Sequence, residues 1–334
     1  LSARSVWDGL ADSALLADLD AREGSPRVIL LTLAGGLGLY FLVGVCVWCL
    51  LLAPITLFGP HAGEGLEGLT QAWLDLGRPG QGSALSQGLS LAVITAVNAA
   101  PLFACAAFAA AMAQHKLHTY ATAAPRFRWR LLLLGLGLSL LVLIPGLAAE
   151  RILSPEATAP VASLAADLPA EALYMAAALL IIPAALAEEL VFRGWFLRLT
   201  ATVSRRPAAL VSVSSVVFAA AHFSFRPAAA DADAFIRLAL MGAGWAYMTL
   251  RLGGLEFAAG SHAANNLLIV LFLHPLDADP PATQGGPIEL LTDLALVAGY
   301  VVITEGVVRS PYLRRLSGVR AREISPPDAA EHGA

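Results

Sequence analysis

The chain has 334 residues, 57% of them apolar, and Asp, Glu, Lys and Arg make up 14%, against roughly 25% in an ordinary soluble domain. That balance excludes a water-soluble globule. A net charge of −4 with no basic block outside short loops gives nucleic acid no footing, and three cysteines in apolar stretches give no disulfide framework.

Residues 1–27 carry Asp8, Asp12, Asp18, Asp20 and Glu23 and lack the basic and apolar regions of a signal peptide, so they are expected to stay attached and to lie in the cytoplasm. Val6, Trp7, Leu10, Ala14, Leu15 and Leu19 recur at helical spacing. This predicts a short amphipathic helix against the membrane or the protein. Its acidic polar face argues against anionic lipid at this segment.

From Val28 the chain runs 36 residues without a charged side chain, from Pro79 another 37, and from Leu131 another 19, where ~20 apolar residues span a bilayer. Hydrophobic runs read against Pro, Gly and charge punctuation predict membrane spans at 28–52, 89–113, 131–149, 170–197, 208–225, 235–250, 256–273 and 290–308. The expected fold is an all-α, eight-span polytopic bundle. With the N-terminus inside, 17 of the 21 basic residues fall on the cytoplasmic side, which orients the chain with both termini cytoplasmic. Residues 28–169 form the N-terminal group of transmembrane helices and 309–334 a cytoplasmic tail, expected to be disordered from Ser317. The loop Leu276 to Pro287 is a turn-rich external connection.

Smaller features read as structural. Cys46 and Cys49 form a C-x-x-C inside an uncharged run and are expected to be buried packing. The glycines of the first and third spans, Gly35, Gly36, Gly38, Gly135 and Gly137 among them, suit close helix contacts. Trp129 and Trp245 suit interfacial positions. Pro183, one turn before Glu188, is placed to kink its helix. His115 and His118 beside Lys116 mark a helix end at the cytoplasmic interface.

Ionisable groups inside a span are costly, roughly 2.5 to 3.5 kcal/mol each on insertion scales, so each needs a reason. Three sites stand out: A-E-E-L-V-F-R-G from Ala187 to Gly194, F-A-A-A-H from Phe218 to His222, and H-A-A-N-N from His262 to Asn266. Successive helical residues point about 100° apart, so Glu188 and Glu189 cannot share a face. Glu189 and Arg193 are i, i+4 neighbours able to pair. Phe218 with His222, and His262 with Asn266, are stacked in the same way. Glu188 precedes Arg205, and His222 follows it, by the same 17 residues. If the basic turn joins antiparallel helices, the two side chains meet at one depth as an acid/base pair. Each group alone also has a structural reading: Glu189 with Arg193 as a buried ion pair, a lone histidine as a bond between helices.

At these residues the sequence resembles the CAAX-protease and bacteriocin-processing family of intramembrane endopeptidases, whose signatures are E-E-x-x-x-R, F-x-x-x-H and H-x-x-x-N/D. Here they read Glu188-Glu189 through Arg193, Phe218 through His222, and His262 through Asn266. The resemblance covers about residues 170–270; residues 1–150 share hydropathy alone. It implies a catalytic core at 170–308 and a glutamate-type protease without cofactor or metal. Glu188 would activate a water, His222 would orient it and shuttle its proton, and His262 with Asn266 would stabilise the oxyanion. Glu189, Arg193 and Phe218 would support them. The implied substrate is a membrane-associated protein or peptide, and the Ala/Gly-rich composition points to a bacterial inner membrane. Within enzymes the rival is a zinc hydrolase, since Glu, His and His can also ligate a metal. Outside enzymes the rivals are a non-catalytic immunity or partner-binding protein and a transporter using the same polar residues as an ion path.

Overall fold

The computed structural model describes residues 3–58, 64–65, 67, 84–153, 168–222, 228–273 and 287–324. Regular structure among them is helical, apart from an isolated backbone bridge between Thr122 and Gly254. The expected external loop at 276–287 lies outside the described residues but for its last position.

In chain order the helices are α1 (Ala3–Gly9), α2 (Pro26–Phe58), α3 (Ala84–Met112), α4 (Leu117–Ala121), α5 (Trp129–Leu153) and α6 (Leu168–Ala178). α7 (Ile181–Glu189) runs through a π-helical stretch, Leu190–Phe196, into α8 (Leu197–Val203). There follow α9 (Pro207–Ala221), α10 (Ala228–Leu252), α11 (Glu256–Leu268) with a π-helical extension Ile269–Leu273, α12 (Pro287–Arg309) and α13 (Pro311–Ser317). Every predicted span thus falls on a helix. Among the described residues, five stretches are long and apolar enough to cross a membrane: Pro26–Leu51, Leu91–Met112, Trp129–Gly146, Tyr174–Val203 and Leu290–Arg309. The chain is an integral membrane protein.

The helices are positioned by what their faces lack. α5 and α11 make the most extensive helix–helix contact, and glycine makes it possible. A Cβ on Gly260 would lie 2.0 Å from the Leu132 carbonyl oxygen, and one on Gly135 2.4 Å from that of Phe257. Bringing the backbones this close lets small residues supply dispersion contacts where lipid removes the hydrophobic drive. Gly36, Gly38 and Gly137, expected to do the same, face open space instead. α2 is the most lipid-facing span, with Leu30, Leu37, Phe41 and Leu42 exposed along it. Cys46 and Cys49 lie on this surface as free, exposed thiols rather than buried packing. Pro183 acts as expected: lacking an N–H and crowding the carbonyl of residue 179, it coincides with the break between α6 and α7 at Leu179–Leu180.

Of the two alternatives for the N-terminal segment, the described residues from Ala3 take the second and pack against the protein, but as a short helix followed by turns. α1 gives way to 3₁₀ turns, and Leu10 and Leu16 are fully buried against Leu197, Leu210, Ala246 and Leu250. Arg198, itself fully buried, holds this strap by donating to Glu23, Asp18 and the Leu15 carbonyl. Ser13 donates to the Leu250 carbonyl. The segment contains too few consecutive apolar turns for a stable helix alone and is shaped by its contacts. The tail, expected to be disordered from Ser317, is ordered as far as Ile324: Val319 and Ile324 are buried, and Glu323 accepts from Arg128; residues 325–334 lie outside the described residues.

The two glycines of α5 and α11 give a direct test. Gly260→Ala gains about 1 kcal/mol of helix propensity but drives a methyl into backbone that cannot rotate away. We expect it to lower the melting temperature in detergent, with overpacking costing roughly 1–3 kcal/mol. Gly137→Ala, with nothing within 4 Å of the new methyl, should hold or raise it. Equal melting of the two variants would remove the close approach as a stabilising contact.

Candidate active site

The three polar motifs sit on α7, α9 and α11, and the fold brings them together. Glu188 Oε2 is 3.7 Å from His222 Nε2 and 3.8 Å from His262 Nε2. The antiparallel α8–α9 turn at the basic residues therefore does set Glu188 opposite His222, as the residue count implies. Asn266 lines the same cavity as Glu188 and His222, a space of about 630 Å³. Its other walls are largely apolar, with Leu91 and Leu102 from α3, Ile181 from α7 and Ile269 from the π-helical extension of α11.

Each imidazole is held by its other nitrogen. His222 Nδ1 is 2.8 Å from the Phe218 carbonyl oxygen one turn back, and His262 Nδ1 is 2.9 Å from Glu189 Oε1. Carbonyl and carboxylate oxygens only accept, so in the neutral rings both protons reside on Nδ1 and both Nε2 atoms carry lone pairs. Two imine nitrogens and one carboxylate oxygen then face one another across 3.7–3.8 Å with no direct hydrogen bond between them. Glu188 Oε2 is buried without a partner. The site is complete as an acceptor set and calls for a donor in its midst.

Glu189 occupies a different environment from its neighbour. It is fully buried and accepts from Arg193 Nη1 at 3.0 Å as well as from His262. The i, i+4 pair expected from the sequence is present, and it has a second task, fixing the orientation and tautomer of His262. Arg193 is in turn enclosed: Nη2 donates to the Gly242 carbonyl, and the guanidinium lies 4.4 Å from the Phe218 ring centroid and 5.4 Å from that of Trp245. Phe218 thus carries both Arg193 on its face and His222 on its carbonyl. Trp245 is not interfacial: it is buried, stacked on His262 with ring centroids 4.1 Å apart, and bonded to Ser261. Trp129, 60% exposed at the start of α5, does suit an interface.

Sequence reasoning missed Trp245, Gly242 and Asn265. Asn265 donates to the Asn266 side-chain oxygen at 3.2 Å, which turns the Asn266 amide nitrogen toward the remaining space. The helix-period face argument separates these two asparagines but says nothing of a bond between their side chains. Both π-helical stretches, Leu190–Phe196 and Ile269–Leu273, adjoin the site; wide turns of this kind recur where a helix must re-aim a side chain. His115 belongs to another cluster, near Asp20 and Glu23 beside the strap.

With this geometry in view, comparison with known proteins is informative. Residues 170–268 match the family model described as type II CAAX prenyl endopeptidase Rce1-like. This segment is similar to the CAAX-protease family. The match takes in Glu188, Glu189, Arg193, Phe218, His222, His262 and Asn266. An uncharacterized protein of Bacillus subtilis, YyaK, is 32% identical over 102 residues, covering 30% of this chain and 34% of its own. The chain thus matches about a third of that relative's length. No solved structure matches the chain.

The double use of Glu189 in the Rce1-like domain predicts a distinctive pattern. Glu189→Gln leaves the Arg193 guanidinium without its carboxylate and weakens the hold on His262, so it should destabilise by about 3–5 kcal/mol and lower turnover as well. Arg193→Gln should destabilise similarly but spare the His262 bond. The double variant should cost less than the sum, since the ion pair leaves as a unit. Thermal unfolding with single-turnover cleavage of all four proteins checks this; strict additivity would remove the coupling.

Proposed function

We propose that the chain is an intramembrane endopeptidase that hydrolyses a peptide bond in a membrane-associated protein or peptide, with a water activated by Glu188 and His222. The reading is carried by one observation: His222 Nε2 and His262 Nε2 both lie within 3.8 Å of Glu188 Oε2, and among the described residues no donor is bonded to that oxygen. A water has two protons to give to such a set and becomes a better nucleophile as it gives them. Glu188 takes one proton as the oxygen attacks the carbonyl carbon, and His222 orients the water. The tetrahedral oxyanion accepts from the Asn266 amide. His262 Nε2, an acceptor while the ring is neutral, takes the second proton of the added water oxygen, and the imidazolium, stabilised by Glu189 beneath it, then donates to the oxyanion; the acyl product leaves as a carboxylate and His262 returns its proton to solvent. The proton held by Glu188 passes to the amine as the carbon–nitrogen bond breaks, so no serine, threonine or cysteine is needed.

All eight apolar segments cross the membrane in this reading. α9, α10 and α11 fall short on length or apolarity because they stand inside the bundle, where their polar faces meet protein rather than lipid. Residues 170–308 form the catalytic core, 28–169 the helices that wall its cavity, and 1–27 and 309–334 the cytoplasmic segments. In this reading the chain sits in a bacterial inner membrane with both termini in the cytoplasm, an orientation that the distribution of basic residues supports. Whether the substrate is lipidated does not enter the chemistry.

A zinc hydrolase is the second reading, and one feature favours it: a metal-bound histidine commonly has its other nitrogen on a carboxylate or a carbonyl, as His262 and His222 both do. Chelation separates the two. Activity should survive exhaustive dialysis against a chelator; stoichiometric zinc, lost with activity and restoring it on return, would establish the metalloprotease.

Variants test the glutamate mechanism itself. Glu188→Gln should abolish cleavage of membrane-embedded reporter peptides while leaving the melting temperature within a degree or two, since it keeps the size of the side chain and no hydrogen bond among the described residues reaches Glu188 Oε2. Asn266→Ala should slow turnover by roughly 10²- to 10³-fold. Asn265→Ala should cost far less, because it releases the amide without deleting it. Full activity in Glu188→Gln would end the proposal.

A further inference from the structure

At the end of the bundle where α5 begins and α12 finishes, a second cavity of about 690 Å³ lies between the segment 124–130 and the tail. Its walls include Arg126, Arg128, Arg130 and Arg320 against one carboxylate, Glu323. Within R-F-R-W-R, Arg128 is buried, while Arg126, Trp129 and Arg130 are exposed. Arg128 turns in, where it donates to both oxygens of Glu256 and to Glu323. Burial works against its charge, but these two carboxylates outweigh burial and hold its pKa above the ordinary value. Arg128 and both carboxylates are thereby used up. Arg126, Arg130 and Arg320 remain exposed, and among the described residues no carboxylate pairs with them.

Depth supplies the second observation. Trp129 opens the membrane-spanning stretch Trp129–Gly146 and is 60% exposed, with its ring 4.6 Å from that of Phe127. α12 ends its span at Arg309, and α13 follows it with Tyr312 and Leu316 exposed. The cavity therefore lies where a lipid headgroup meets its acyl chains: aromatic and apolar groups face the chains, and three uncompensated guanidiniums face the phosphate level.

We propose that this cavity is a binding site for the phosphodiester headgroup of an anionic phospholipid, gripped by Arg126, Arg130 and Arg320 and bordered by Trp129. It is separate from the Glu188 cavity and does not depend on the protease reading. Guanidiniums suit the task because each presents paired donors to phosphate oxygens, which a lysine cannot. The buried Arg128–Glu256–Glu323 bridges fix the loop and the tail as opposite walls of the site, so the headgroup enters a preformed cleft rather than ordering one.

The test is native mass spectrometry of the full-length protein in detergent, titrated with phosphatidylglycerol or phosphatidylcholine. At about 1 kcal/mol per basic residue, three arginines correspond to roughly 100-fold in affinity. The wild-type chain should therefore retain phosphatidylglycerol roughly 100-fold better than phosphatidylcholine. The triple variant R126Q/R130Q/R320Q should lose most of that preference, while R126K/R130K/R320K should keep part of it. The control R27Q/K116Q/R206Q, which removes three exposed basic residues that do not line the cavity, should keep all of it. Equal retention of the two lipids by the wild type would overturn the proposal, as would an unchanged preference in the glutamine variant or an equal loss in the control. Displacement of phosphatidylglycerol by inorganic phosphate alone would overturn it too, by showing a bare anion site.

Discussion

A carboxylate that never meets water governs this site. Glu189 is fully buried in a membrane helix, where an uncompensated charge would lose several kcal/mol of hydration. Its position is tolerable because Arg193 lies one turn on and His262 reaches it from α11. Arg193 brings the same difficulty with opposite sign. It is met by Glu189, by the Gly242 carbonyl of α10, and by the faces of Phe218 on α9 and Trp245 on α10. Neutralising one glutamate thus ties together the four helices that carry the site. Phe218 and Trp245 also pack against His262, so the ring that faces Glu188 has little freedom to turn.

That rigidity has a chemical consequence. Glu188 differs from Glu189 by one residue and about 100° of rotation; each has an Oε2 that no donor among the described residues reaches, but that of Glu188 belongs to a side chain lining the cavity. A fold that satisfied every buried group would be more stable, but it would leave no acceptor to polarise a nucleophile. The unsatisfied cluster is affordable because the paired cluster behind it absorbs the charge. The apolar walls of the cavity keep the local dielectric low, which strengthens each interaction with a developing oxyanion.

Much of this was legible in the sequence because it follows from helical period and span length alone. Glu189 pairing with Arg193, and Glu188 meeting His222 across a turn at matched counts, need only the rise and twist of a helix. The bond from His262 to Glu189 joins residues 73 apart on α11 and α7 and depends on how those helices cross. No local pattern fixes that. Trp245 was misplaced for a related reason: an aromatic near a span's end suits an interface, yet α10 is walled in by α9 and α12. The N-terminal strap escaped because its apolar spacing fits a helix equally well, and only its contacts with Arg198 and Leu210 decide otherwise.

The arginines that orient the chain also fall into two physical classes that counting cannot distinguish. Arg198 and Arg128 are consumed in buried bridges to Glu23, and to Glu256 and Glu323, with the half-exposed Asp18 as a further partner of Arg198; Arg251 bonds Glu305 in the same manner. Such pairs lie largely out of reach of screening ions, so they act as fasteners joining strap, helices and tail whatever the salt. The exposed arginines at 126, 130 and 320 keep their full charge for the surroundings. A positive-inside count treats both classes alike, but only the second can attract a lipid. The first determines where the second can stand, because without Arg128 bound to both α11 and the tail there would be no cleft for the other three to line.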